Sequence, residues 1–144
     1  MEQQTYANHR RIVPMYHYVL TLLIFATLIG SVVNLVQCLK NGTGLYSASL
    51  IVVMNVSFAI LFYYARIFAL KAQDRAIRAE ENLRHYALTG KLLDPRLDIR
   101  QIIGLRFASD GEFLELEKRA VAENMKETEI KKAVKHWRGD TYRV

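Results

Sequence analysis

The sequence predicts an all-α protein: an N-terminal two-helix transmembrane hairpin, a second span that continues as a cytoplasmic stalk, and then a small three-helix module. Three observations carry that expectation. Two uncharged apolar runs, residues 18–39 and 45–65, flank a short loop at 40–44. Charge is divided unevenly, with four Lys or Arg and one Glu in residues 1–70 against sixteen Lys or Arg and thirteen Asp or Glu in residues 71–144. From Arg66 to Thr89 no Gly or Pro interrupts a stretch rich in helix formers. The boundaries that follow are an N-terminal segment at 1–17, the hairpin at 18–66, the stalk at 67–90 and the module at 91–144.

Each apolar run is long enough to cross a bilayer, since about 20 residues at 1.5 Å rise span a hydrocarbon core of roughly 30 Å. Backbone groups in lipid must be satisfied within the segment, which makes each run a helix. The Asn41-Gly42 and Thr43-Gly44 steps favour a tight reversal between them. A cleaved signal peptide fits poorly, because the first run is longer than an ordinary apolar core and no Ala-x-Ala site follows it. Positive charge flanks the outer ends of the spans (Arg10, Arg11, Arg66, Lys71, Arg75, Arg78), while the loop carries Lys40 alone. The positive-inside rule therefore puts both termini in the cytoplasm. Tyr16, Tyr18, Tyr46, Tyr63 and Tyr64 stand at the span ends, where amphipathic rings prefer the headgroup layer.

The polar residues at membrane depth include Asn34, Gln37, Asn55 and Ser57. Counting outward from Gly42 sets Asn55 about level with Gly30, where a missing side chain lets helices approach. Gly30, Asn34 and Asn55 are thus the expected intramembrane packing residues, and a solute path lined by Asn34, Gln37 and Asn55 is the alternative. Neither span holds an ionisable Asp, Glu, Lys or Arg, so the usual groups of proton relays are missing there. Cys38 is the single cysteine, which rules out an intrachain disulfide.

In the stalk, Ala69, Ala72, Ala76, Ala79, Leu83 and Tyr86 follow a heptad seam, with the charged residues off it. That seam predicts either a bed for the following helices or self-association of stalks. Gly90 reads as the helix stop, and residues 91–95 as a connector ending at Pro95. Asp98 reads as the cap of a helix running to about Phe107. Ser109-x-x-Glu112 is a capping box opening a helix to about Glu123. Thr128 is the expected cap of a last helix carrying the stripe Ile130, Ala133, Val134 and Trp137, stopped by Gly139.

Two features of the module invite binding. Arg106 falls beside the apolar stripe of Ile99, Ile102 and Ile103, where it needs a carboxylate such as Asp110 or an anionic ligand. Lys131, Lys132, Lys135, His136 and Arg138 are expected on the outer face of the last helix, as a solvated surface or as a site for anionic lipid or nucleic acid. The charged half has a net charge of only +3, which argues against nucleic acid. The four histidines are scattered, and no metal, nucleophile or phosphate-loop motif is present, so no catalytic residues, metal or cofactor are expected.

The stretches Gln73-Asp-Arg-Ala-Ile-Arg78, Gln101-Ile-Ile-Gly-Leu-Arg-Phe-Ala-Ser-Asp110 and Glu129 through Trp137 to Val144, with Tyr6-Ala-Asn-His-Arg10, Pro14 and His17, resemble an uncharacterised family of small bacterial two-span membrane proteins. The resemblance covers nearly the whole chain and implies a bacterial inner-membrane protein with no known activity. It draws attention to Asn8, His9, Arg10, Asp74, Arg75, Arg106, Asp110 and Trp137, and the expected role of the first three is to anchor the N-terminus at the headgroups or against the stalk. The functional expectation is a non-enzymatic membrane-anchored interaction or scaffold protein that self-associates, with the bilayer and a cytoplasmic protein as partners. A ligand-gated effector responding to a nucleotide or anion, and a membrane-tethered nucleic-acid binder, are the alternatives.

Overall fold

The computed structural model describes residues 4–9 and 11–140; Arg10 and the closing 141–144 stretch singled out by resemblance lie outside it. Among the described residues the fold is all-helical, with α1 (Thr21–Asn41), α2 (Leu45–Thr89), α3 (Ile99–Leu105), α4 (Asp110–Ala122) and α5 (Glu127–Ala133). The chain divides into two compact units, Ile12–Phe68 and Met1–Arg11 with Ala69–Val144.

The first unit is the apolar hairpin. A π-helical turn, Met15–Leu20, starts at Pro14 and leads into α1, so the first helix begins three residues before the apolar run does. Tyr16 donates its hydroxyl to the Phe62 carbonyl (2.7 Å) and stacks on the Phe62 ring at 4.6 Å, fastening the start of one helix to the other. Gly42 closes α1 with φ +69°, and its N–H reaches the Cys38 carbonyl at 2.9 Å, the left-handed stop that glycine adopts without strain. The better-covered residues of α1 are Thr21, Ile24, Leu28, Ser31, Leu35 and Cys38, and those of α2 are Ala48, Val52, Asn55, Ala59 and Phe62. Both sets repeat by threes and fours, which is the spacing of two helices packed along a shallow crossing.

That register revises the expected packing residues. Gly30 and Asn34 lie off the stripe: a Cβ built on Gly30 meets nothing within 4 Å, and Asn34 is exposed. Ser31, one residue and 100° further round, is the buried position. Asn55 does lie on the stripe, but its amide donates to Ile51 O of its own helix (3.0 Å). Thr27, Ser31 and Ser57 likewise satisfy their hydroxyls on carbonyls three or four residues back.

The second unit is built on the far end of α2. Gly90 (φ +74°) ends that helix as expected, and Gly90 N–H donates to Tyr86 O. The connector then turns at Asp94-Pro95, with Leu97 N–H on Asp94 O and the side chains of Leu93 and Leu97 buried. Arg96 holds the half-buried Asp94 carboxylate down to about 2, chiefly by its side-chain hydrogen bond. α3 opens with a reciprocal capping box, Gln101 N–H on Asp98 Oδ1 (2.7 Å) and Asp98 N–H on Gln101 Oε1 (3.0 Å). α4 opens at Ser109, whose N–H donates to Glu112 Oε1 (3.3 Å). It closes on Asn124 in the left-handed region, with Met125 N–H reaching back to Ala120 O.

The last helix departs from expectation at both ends. Its cap is Lys126, not Thr128, because Glu129 reaches back to the Lys126 N–H (2.7 Å). It stops at Ala133 rather than Gly139, since Val134 turns extended and the chain pairs with the end of α3. Ser109 N–H donates to His136 O and Arg138 N–H to Phe107 O (2.7 Å), so Trp137 sits on a β-bridge opposite Ala108 and not on a helical stripe. The core beneath is Leu97, Ile102, Leu105, Phe107, Phe113 and Ile130.

Gly104 sets how closely α3 and α5 pack. A Cβ there falls 3.0 Å from Ile130 Cγ2 and 3.2 Å from the Glu127 carbonyl oxygen, a backbone atom with little room to move. Gly104→Val is expected to lower unfolding stability by about 2 kcal/mol through overpacking, measured by denaturant unfolding of the detergent-solubilised protein.

Candidate functional site: the stalk and the module it carries

The charged half of α2, from Ala69 to Thr89, has two unlike faces. Ile77, Glu81 and His85, spaced four apart, are buried against the module. Ala72, Ala76, Ala79, Leu83 and Tyr86 are exposed. The alanine seam is therefore not the bed for the following helices; the charged side of the stalk is. The reason is that the charges find partners in the module. Arg84 donates to Glu81 (3.0 Å), to Asp110 (2.7 Å) and to the Ala108 carbonyl (2.7 Å), and its guanidinium lies 4.3 Å from the Phe113 ring centroid. This uses the fork of donors that only arginine offers. One turn on, His85 Nε2 meets Glu117 Oε2 at 3.0 Å, while Nδ1 lies 2.7 Å from the Lys91 carbonyl. A carbonyl only accepts, so the His85 Nδ1–H donates to the Lys91 carbonyl. Asn82 of α2 accepts from Leu93 N–H, and Glu117 of α4 from Asp94 N–H, so the connector is pinned from both helices.

Beside the His85–Glu117 pair lies an open groove of about 480 Å³, rimmed by Lys91, Arg96 and Lys118 with Leu92 and Val121 as its apolar wall. No group of three or more His, Cys, Asp or Glu suited to a metal ion occurs among the described residues.

The N-terminal segment belongs to this unit. His9 lies among three aromatic rings, with centroid distances of 5.6 Å to Tyr6, 5.9 Å to Phe107 and 5.8 Å to Trp137. Its Nε2 is 3.4 Å from Lys131 Nζ. Gln4 pairs with the Asp140 backbone, accepting its N–H at 2.8 Å and donating back at 3.4 Å. Residues 4–9 are thus anchored on the module through Gln4 and His9. Resemblance marks His9 and Trp137, and spacing marks Trp137 only as part of a helical stripe; nothing local signals their meeting, because 128 residues separate them.

The five basic residues expected on one outer face are dispersed. Arg106 is buried and pairs with Asp140 (3.0 Å), not Asp110, and lies 4.6 Å from the Phe107 ring centroid. Desolvation lowers its pKa, against the opposing pull of Asp140. Lys131 is buried against Glu127 (2.6 Å), and Lys132 stands 5.7 Å from the Tyr6 ring. Lys135 lies beyond the helix, where its N–H and that of His136 bind the Glu112 carboxylate at 3.1 and 2.9 Å. Arg138 reaches Glu81 at 3.8 Å. Arg106 and Lys131 are buried in internal ion pairs, whereas Lys132, Lys135 and Arg138 stay exposed, and the residues do not converge on one site.

A family model described as a family of unknown function, DUF6526, matches residues 1–144. The chain belongs to that family. No curated protein and no solved structure matches it. That membership agrees with the resemblance to an uncharacterised family, and within the stretches that carried it Arg106, Asp110 and Trp137 make structural contacts.

Two outcomes follow from these contacts. Arg84→Met leaves Glu81 buried beside only a distant Arg138 and is expected to cost about 3 kcal/mol, with hydrogen exchange rising in α4 and the connector before α5. Glu112 is pushed up by burial but more strongly held down by the N–H groups of Lys135, His136 and Ser109, so its pKa lies below the ordinary value. A carboxylate lowered in the folded state stabilises above its unfolded pKa, and that share is lost as pH falls through the folded value. Glu112→Gln should therefore flatten the acid limb of a stability–pH profile and loosen the 134–138 segment, read by the same exchange experiment.

Proposed function

We infer that the protein is a membrane-anchored helical interaction module, non-enzymatic and self-associating, with its working surface in the cytoplasm. The observation that carries this is the bareness of the two apolar helices. A core helix of a soluble protein is mostly buried, yet only 6% and 11% of the most apolar windows of the first and second helices are covered. Leu22, Phe25, Ile29, Val53 and Leu61 are each more than half exposed. Hydrocarbon is the solvent that suits such surfaces. Residues 4–9 rest on the module that follows α2, while both apolar helices lie between them in sequence. An even number of crossings returns the chain to one side, which supports the hairpin topology. The asymmetry of Arg10, Arg11, Arg66, Lys71, Arg75 and Arg78 against Lys40 supports a cytoplasmic placement of that side, at the bacterial inner membrane.

A second reading, an effector gated by a small anion such as a nucleotide, finds its support in the groove beside His85, an opening of small-molecule size where Lys91 and Lys118 stand alongside Glu117 and the paired Asp94 and Arg96. The dispersal of the other basic residues gives no comparable support to nucleic-acid binding.

Impermeant maleimide should label Thr43→Cys in a Cys38→Ser background from outside intact cells, and Lys126→Cys only after lysis; the reverse pattern would overturn the orientation. The mass of the full-length protein in native nanodiscs tests self-association. A defined oligomer is expected, and a bare monomer would direct the search to an unlike partner. Inorganic phosphate or ATP raising the melting temperature by mass action would move the second reading to first place.

A further inference from the structure

The free face of the stalk carries more than self-association in general. We propose that two copies pair in parallel and in register along Ala69–Tyr86, with Arg75 of each copy facing Glu80 of the other. This rests on the membrane-anchored, self-associating reading above.

The argument begins with what the module leaves uncovered. At 100° per residue, Ile77, Glu81 and His85 lie on nearly the opposite side of the helix from Ala72, Ala76, Ala79, Leu83 and Tyr86. The module therefore occupies the back of the stalk and obstructs nothing on the front. Leu83 is 68% exposed and Tyr86 55%, so the front is apolar and open at its far end as well as small along its length.

Alanines alone would not say what covers them; the flanking charges do. With Ala69, Ala76 and Leu83 at the a positions and Ala72, Ala79 and Tyr86 at d, Arg75 falls at g and Glu80 at the following e. In a parallel two-stranded coil, g of one chain meets the next e of its partner, five residues on. That geometry matches opposite charges twice, once on each side of the symmetry axis. Neither Arg75 nor Glu80 makes an ion pair or hydrogen bond among the described residues, in contrast to the fully partnered Glu81 and Arg84. Two stalks leaving one membrane in the same orientation are necessarily parallel. Confinement to the bilayer also raises their effective concentration, which lets a coil of fewer than three heptads suffice.

The second copy is thus chosen by sign and spacing. An antiparallel partner would place Arg75 elsewhere, and an unlike protein would have no reason to match the Arg75–Glu80 offset.

The test uses full-length protein in its membrane, with Cys38→Ser as background. Ala76→Cys and Leu83→Cys place thiols at a positions, where symmetry-related Cα atoms approach within disulfide range. Arg78→Cys is an exposed control off the seam. Under mild oxidation, covalent dimer is expected at 76 and 83 and several-fold less at 78. With Leu83→Cys as reporter, Arg75→Glu and Glu80→Arg should each reduce the crosslinked fraction roughly fivefold, through two repulsive pairs per dimer, and the double exchange should restore it. A defined oligomer in nanodiscs without crosslinking at 76 and 83 would overturn the seam while leaving self-association standing. Crosslinking without rescue would overturn the Arg75–Glu80 pairing, and a monomer would remove the whole proposal.

Discussion

Arg84 is the interaction on which the second unit depends. It stands on a helix whose other contacts to the module are few, and it reaches three targets at once: Glu81 on its own helix, Asp110 at the start of α4, and the carbonyl of Ala108. Those targets lie where the chain has just left α3, so one guanidinium fixes both the end of that helix and the start of the next. A module of this size has little apolar surface to bury. Orienting it by charge-assisted hydrogen bonds instead of by a large hydrophobic interface is a way to gain definition without adding core.

The consequence is an inversion of the usual amphipathic logic. A helix normally turns its apolar stripe inward and its charges to water. Here the charged side of α2 is inward, because its charges have partners, and the apolar side is outward. Burial of Glu81, His85 and Glu117 costs desolvation that only close geometry offsets, and the 3.0 Å approaches within this cluster meet that requirement. What the protein gains is a free apolar face beside a rigidly mounted module, a combination suited to assembly.

The legible parts of the fold are the local ones. Both capping boxes, Asp98 with Gln101 and Ser109 with Glu112, follow from residues three apart. The stops at Gly42 and Gly90 follow from a single residue type. The parts that escaped depend on pairs distant in sequence. Arg84 and Asp110 are 26 residues apart, and nothing in the heptad pattern of the stalk announces that its charges will outcompete its alanines for the module. The early end of α5 has the same origin: local spacing extends the helix through Trp137, but the bridge to Ala108 and the N–H groups bound by Glu112 outweigh one more helical turn. Gly30 was misplaced by a single residue, which on a helix is enough to move it from the packed stripe to open space.

The N-terminal segment shows how the two ends of the chain become interdependent. His9 sits against Phe107, Trp137 and Lys131, and Gln4 against Asp140, which in turn pairs with the buried Arg106. Arg106 would otherwise be a buried cation at the end of α3 with its Nε already lacking a partner among the described residues. Holding Asp140 in place is therefore what makes that burial tolerable, and Gln4 is among the groups that hold it. The chain thus needs its first residues to complete its last helix region, even though both apolar helices intervene. In a protein made from its N-terminus, the packing around Asp140 is therefore completed only when residues 4–9, synthesised first, return to the end of the module.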